Sequence, residues 1–539
     1  MDLSQNTKNL ILKYSLWQKS FKPKEGVPTI HVDEVASQVA AFYEKIRTVI
    51  DWKEEHLMRR AAIIRKLKRR FDELELENFS VEDIAEPLVL ELIRGGYFPN
   101  DRIEESKIGE VKKIISKYVF ILKNNPENKN GKAKSQFYNE LLEIAACEIE
   151  ETLAPSIKEM ALIEYMFEQM KERIKINEAI YKKILLKQGD KDIQTYIAVQ
   201  QALFILDEPI ITYNLLKYKY PFWESPSKEN LLELTQNIYK IWEEIKRDLS
   251  HPMAKKFYAI CEKYDTVYLL LGDVLTTDNL ENTSENIQEP SALEALIKKA
   301  YGKRFLDLKN KIRRAAIYST TSIFVTKILS LLILEIILAK LIYGGHINFV
   351  SLGVDVLIPT GLMGFLVLNI KPPSKKNLNL AVIEAIKIVY KKEKTDTYEI
   401  KQTKRRGFIT RLSLSLIYLF GAIVSFVFLF WIFNYFEFSI TSIVINFTFI
   451  ALILFAGTAI KKRSKELTIE EDREGVLEFI SDILFLPITD VGRWLSNTWK
   501  QYNAIAAFFN ALIDMPFSAF VEFLERWRYF IKEKKEEIR

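Results

Sequence analysis

The sequence predicts an all-α, polytopic integral membrane protein with a large helical bundle ahead of its membrane part. Three observations carry that prediction. Four apolar runs, near 318–343, 347–370, 409–435 and 438–460, each hold roughly the 20 residues that a hydrocarbon layer of about 30 Å requires. Lysine and arginine crowd the flanks of these runs on one side only. Residues 1–275 repeat apolar side chains at helical spacing and contain no alternating stretch of strand length.

The mean composition conceals this division, because a charged, helix-friendly part averages with an apolar, aromatic one. A chain of 539 residues with net charge +6 exceeds one domain, and its basic residues lie beside the apolar runs. That placement fits an anionic membrane surface as the partner and argues against nucleic acid. Cys147 and Cys261 lie far apart in the bundle, so no disulfide framework is expected. The opening MDLSQNTKNLILKYSLWQKS has no secretory apolar core, and the bundle is expected to stay in the cytoplasm.

In chain order, 3–20 reads as a short amphipathic helix. From Val32 to Leu76 one long helix is predicted, with Val35, Val39, Phe42, Ile46 and Val49 on a heptad seam that continues, offset, through Leu57, Ile64 and Phe71. The seam requires a partner helix, from this chain or from a second copy. Helices are expected near 81–94, 102–123, 134–188 (broken at Pro155), 190–218, 227–248 and 252–275. The aromatic loop Tyr218–Trp223 reads as packed against the bundle. The acids Glu140, Glu143, Glu148, Glu150 and Glu151 read as a solvated helix face.

Residues 276–290 are polar and turn-rich, a linker. Residues 291–316 form a basic juxtamembrane helix. Its apolar stripe is flanked by Lys298, Lys299, Lys303, Arg304, Lys309, Lys311, Arg313 and Arg314, a pattern that suits anionic headgroups. The first membrane hairpin covers 317–370. The 371–408 connection is an amphipathic basic loop with eleven Lys or Arg, among them Lys404, Arg405 and Arg406 as headgroup ligands. The second hairpin covers 409–460, followed by Lys461, Lys462, Arg463 and Lys465. The turns Gly344–His346 and Phe436-Glu437 carry no Lys or Arg, so both termini are expected in the cytoplasm, at the cell membrane. Residues 475–539, interrupted by Asp482, Pro487, Asp514 and Pro516, are expected as interfacial or re-entrant amphipathic helices with a charged tail.

The candidate site lies in the first hairpin. Glu335 stands ten residues before Gly345 and Asp355 ten after it, so a symmetric hairpin puts both near mid-bilayer, about 15 Å below the turn. A charge at that depth costs roughly 2.5–3.5 kcal/mol and has to face protein or water, be paired, or be protonated. Lys327 and Lys340 are poorly placed to pair with Glu335 along one helix, so partners across helices are expected. In the second hairpin, Gly421 and Ser425 make a small-xxx-small step able to seat a neighbouring helix, and Asn446 can hydrogen-bond across helices.

Phosphate-binding, zinc, nucleophile-elbow and dinucleotide motifs are absent, and His31, His56, His251 and His346 are isolated. No enzyme, cofactor or metal is therefore expected. The leading expectation is a scaffold that binds a protein partner or lipid at the cytoplasmic face. The alternative is an oligomeric ion or proton channel or transporter using Glu335 and Asp355, which leaves room for a homo-oligomer.

Overall fold

The computed structural model describes residues 2–20, 26–32, 55–76, 84–126, 131–176, 189–276, 285–335, 337, 349–370, 372–391, 396–400, 407–470, 476–501, 523, 527 and 530–531. Among these the protein is overwhelmingly helical, with 17 helices and one two-stranded sheet. Two compact units divide the chain. One comprises Gln5–Asp265, Lys394–Ile400 and Ala504–Arg539; the other comprises Met1–Ser4, Thr266–Glu393 and Lys401–Asn503.

The first unit holds α1 (Gln5–Ser20), α2 (Glu55–Leu76), α3 (Ala85–Arg94), α4 (Ser106–Asn124), α5 (Gly131–Leu153), α6 (Ile157–Arg173), α7 (Asp190–Phe204), α8 (Glu208–Lys219), α9 (Lys228–Gln236) and α10 (Ile238–Leu249). The division falls inside α11 (Ala254–Leu275). Neighbours in sequence are also neighbours in space: α4 packs on α5, α6 on α7, and α5 also receives α2 and α8.

Several expectations change here. The seam over 35–49 lies outside the described residues. Of the predicted continuation on α2, Phe71 is buried and Ile64 half-buried, and Ile63 and Leu67, off that seam, are buried as well; α2 packs on α5 and α3 of the same chain. The helix predicted over 134–188 stops at Arg173. Ile174–Ile176 forms β1, paired in parallel with β2 (Tyr398–Ile400). A pair of three-residue strands is too short to leave an alternating pattern in sequence.

The acidic residues of α5 are not one solvated face. Glu148 is buried on Lys117, Glu150 bonds Arg59, Glu151 bonds Lys217, and Glu140 bonds Lys246. α5 receives α2, α4 and α8, and these four acids each meet a cation from another helix. The aromatic loop is held inwards: Trp223 is buried and its indole donates to Tyr118 at 3.3 Å.

The second unit opens with α12 (Pro290–Ser330), one continuous helix that merges the predicted basic segment with the first apolar run. A π-helical turn, Leu331–Glu335, follows it. Then come α13 (Phe349–Leu368), α14 (Lys375–Val389), α15 (Phe408–Tyr435), α16 (Ile440–Ser464) and α17 (Val476–Gln501). Four helices are long and apolar enough to cross a membrane: Pro290–Ile333, Val350–Leu368, Phe408–Tyr435 and Ile440–Ser464.

Two amphipathic elements find protein partners. α14 turns Ala381, Val382, Ala385, Ile388 and Val389 inwards and packs on α12. Its Asn377 side chain accepts from the backbone of Ile469 and Glu470 at 2.9 Å each. α17, expected as an interfacial or re-entrant helix, packs along α16 and α15. Gly421 is where it seats: a Cβ there would stand 2.9 Å from the Ile483 carbonyl oxygen.

Candidate functional site

The site grows from three apolar helices, each contributing one polar side chain. Lys327 comes from α12, three residues before its end at Ser330. Asp355 comes from the second turn of α13, and Asn446 from the second turn of α16. These helices meet over an apolar cluster of Met363, Val367 and Ile453, with Ile323, Leu362 and Phe449 against it.

Lys327 Nζ lies 2.8 Å from Asp355 Oδ2, and the two side chains are 0% and 2% exposed. The second carboxylate oxygen accepts from Asn446 Nδ2, which also donates to the Ser442 carbonyl at 2.9 Å. The ring of Phe449 lies 5.3 Å from the ammonium, a cation–π approach. Both charges therefore face protein. The pair is electrically neutral as a unit, and its aspartate is held from two helices at once. An ion pair so enclosed gains Coulomb energy that largely offsets its desolvation, whereas either charge alone would not.

The structure thus brings together Lys327 and Asp355, and adds Asn446. The Glu335 backbone belongs to the π-helical turn, while its side chain and all of Lys340 lie outside the described residues. Asp355 takes its cation from another helix, and that cation stands eight positions earlier in the chain than Glu335, which the count from the turn puts at the same depth. A π-helical turn inserts a residue into the hydrogen-bond ladder and rotates the next stretch of helix by about 100°. Depth counted along an ideal helix and facing on a real one therefore diverge.

Of the basic residues, Lys298, Lys299, Lys303, Arg313 and Arg314 on α12 are exposed. Arg304 is not free for a headgroup: its guanidinium makes a two-pronged bond to Asp273, one arm at 2.9 Å. Lys404, Arg405 and Arg406 lie outside the described residues.

A second buried charge cluster sits in the first unit. Lys117 Nζ reaches both Glu148 oxygens at 2.6 and 2.8 Å and the Trp223 carbonyl at 2.7 Å. Tyr118 donates to the same carboxylate at 2.7 Å; burial and the Glu148 charge push its phenol well above the usual range. Every member is satisfied by another, so the cluster ties the aromatic loop to α4 and α5. Beside it an apolar cavity of about 20 Å³, lined by Phe137, Leu216, Trp223 and Trp242, has room for a water molecule and no more. Burial also raises both thiols, Cys147 and Cys261, which leaves them unreactive. Among the described residues no group of three His, Cys, Asp or Glu side chains is placed to hold a metal.

No protein-family model, no curated protein and no solved structure matches the chain.

Proposed function

We propose that the protein is a membrane-embedded scaffold: a helical body in the cytoplasm, fixed to the cell membrane by the apolar helices, that engages a protein partner and anionic lipid at the cytoplasmic face. The observation that carries this reading is the enclosed ion pair. Lys327 and Asp355, two of the four charges in the first apolar hairpin, are consumed by each other within 2.8 Å and sealed from their surroundings. For these side chains to carry ions or protons, water or a solute has to reach them. Here the polar residues lock three helices instead.

The sidedness rests on charge. Residues 298–314, 371–408 and 461–465 carry the Lys and Arg of the apolar helices, and these flanks face the cytoplasm in this reading. Lys298, Lys299, Lys303, Arg313 and Arg314 then lie where anionic headgroups are. The alternative, an ion or proton channel or transporter using Glu335 and Asp355, is separated by one experiment. Purified protein in liposomes under imposed pH, Na⁺, K⁺ or Cl⁻ gradients is expected to pass nothing above protein-free liposomes. A flux that disappears in Asp355→Asn would overturn the scaffold reading in favour of transport.

A further inference from the structure

We propose that α17 crosses the membrane as a fifth helix, antiparallel to α16, rather than lying on its surface. The inference rests on the reading of α15 and α16 as crossing helices.

The register along α16 is the first argument. Near the end of α16, Lys461 Nζ lies 3.8 Å from Asp482 Oδ1. At its middle, Gly492 sits directly on the Ala451 carbonyl, with no space for a Cβ. Ten residues separate Lys461 from Ala451, and ten separate Asp482 from Gly492, so the two helices run oppositely and in step. Nine further residues, about 14 Å of helix, bring Gln501 level with the first turn of α16. A helix in step with a crossing helix over that length crosses with it. Between these points Ile488 joins Phe433, Phe438, Ile450, Ala451 and Leu454 in one buried cluster.

The second argument is how α17 handles its polar groups. Pro487 has no N–H to give the carbonyl of Ile483, four residues earlier, and its ring crowds that carbonyl. Backbone groups at membrane depth have to be satisfied by protein. α15 meets this stretch at its own midpoint. Gly421 lets the Ile483 carbonyl approach, and the Ser425 hydroxyl lies 2.6 Å from the Leu484 carbonyl. Two of the charges that lower the hydropathy of α17 are partnered as well. Asp490 accepts from Tyr418 at 3.1 Å and pairs with Arg493 at 3.2 Å. A helix lying on the surface would face the Leu484 carbonyl to water and would need no such seat.

Single-cysteine reporters in the full chain test this, with Lys465→Cys, Asn434→Cys, Gln501→Cys and, as a second reporter at the same end, Lys500→Cys. The native Cys147 and Cys261 are buried, so background is low. Sealed vesicles are treated with a membrane-impermeant maleimide before and after permeabilisation. The expected result is that Gln501→Cys and Lys500→Cys label from the Asn434→Cys side and are protected from the Lys465→Cys side until permeabilisation. Labelling of both from the Lys465→Cys side overturns the fifth crossing alone. Labelling of Asn434→Cys and Lys465→Cys from one common side overturns the membrane-crossing reading of α15 and α16, and this inference with it.

Discussion

Asp355 is the residue whose environment is most demanding. It accepts from Lys327 and Asn446 while 2% exposed, so its partners are not interchangeable with water. Removing one member of such a pair strands the other. Asp355→Asn is expected to lower stability by about 3–5 kcal/mol, and Lys327→Met by a similar amount. The double variant Lys327→Met/Asp355→Asn removes both charges and should cost less than the two single losses combined. Thermal unfolding in detergent across the four-protein cycle measures the coupling; additive losses would refute the pairing. The sequence showed which residues were costly in an apolar run, and that Asn446 had hydrogen-bonding capacity. It did not show that Lys327 is where Asp355 finds a cation, because facing depends on the helix ladder and crossing geometry, not on counts from a turn.

Among elements, the α2–α3 contact is one whose strength depends on pH. Glu91 of α3 lies 3.1, 2.9 and 2.7 Å from Lys66, Arg69 and Arg70 of α2. Burial works to raise its carboxyl, but the three cations outweigh burial and hold it below the ordinary glutamate range. In the interval between the depressed folded value and the ordinary unfolded one, only the unfolded chain takes up the proton. The stability that Glu91 contributes is therefore present at neutral pH and is lost as pH falls through that interval. Glu91→Gln should flatten that part of the acid limb. Urea unfolding of the full chain at pH values from 7 to below the ordinary Glu range of about 4.3 is the check, and an unchanged slope would remove the assignment.

α14 and α17 carry a different lesson. Both read as amphipathic, and an apolar face open to lipid looks the same in sequence as one open to another helix. Gly421 and Ser425 held the clue for α17, a close-approach step without a named partner.

For the whole molecule, charge placement is the property with the widest consequence. The exposed Lys299, Lys303, Arg313 and Arg314 share α12 with its apolar run. Near an anionic surface each contributes about 1 kcal/mol. Reversing all four to Glu is expected to lower the anionic lipid that co-purifies with the protein several-fold, while zwitterionic lipid is retained. Changing Arg304, which is committed to Asp273, should disturb lipid less and folding more. Mass spectrometry of bound lipid measures both, and equal retention by the reversed protein would remove the headgroup role.

By itself the sequence determined the helical class, the four apolar helices and the clustering of basic residues beside them. These come from local composition and periodicity, which need no partner to be read. Only the tertiary structure decided what polar groups meet. It matched the acids of α5 to cations on other helices, closed Lys327 on Asp355 beneath Asn446, and moved Val476–Gln501 into the groove of α15 and α16. Each of those outcomes joins residues far apart in the chain. The energy of a buried charge or a proline-freed carbonyl depends on what lies across the interface, which no single segment encodes.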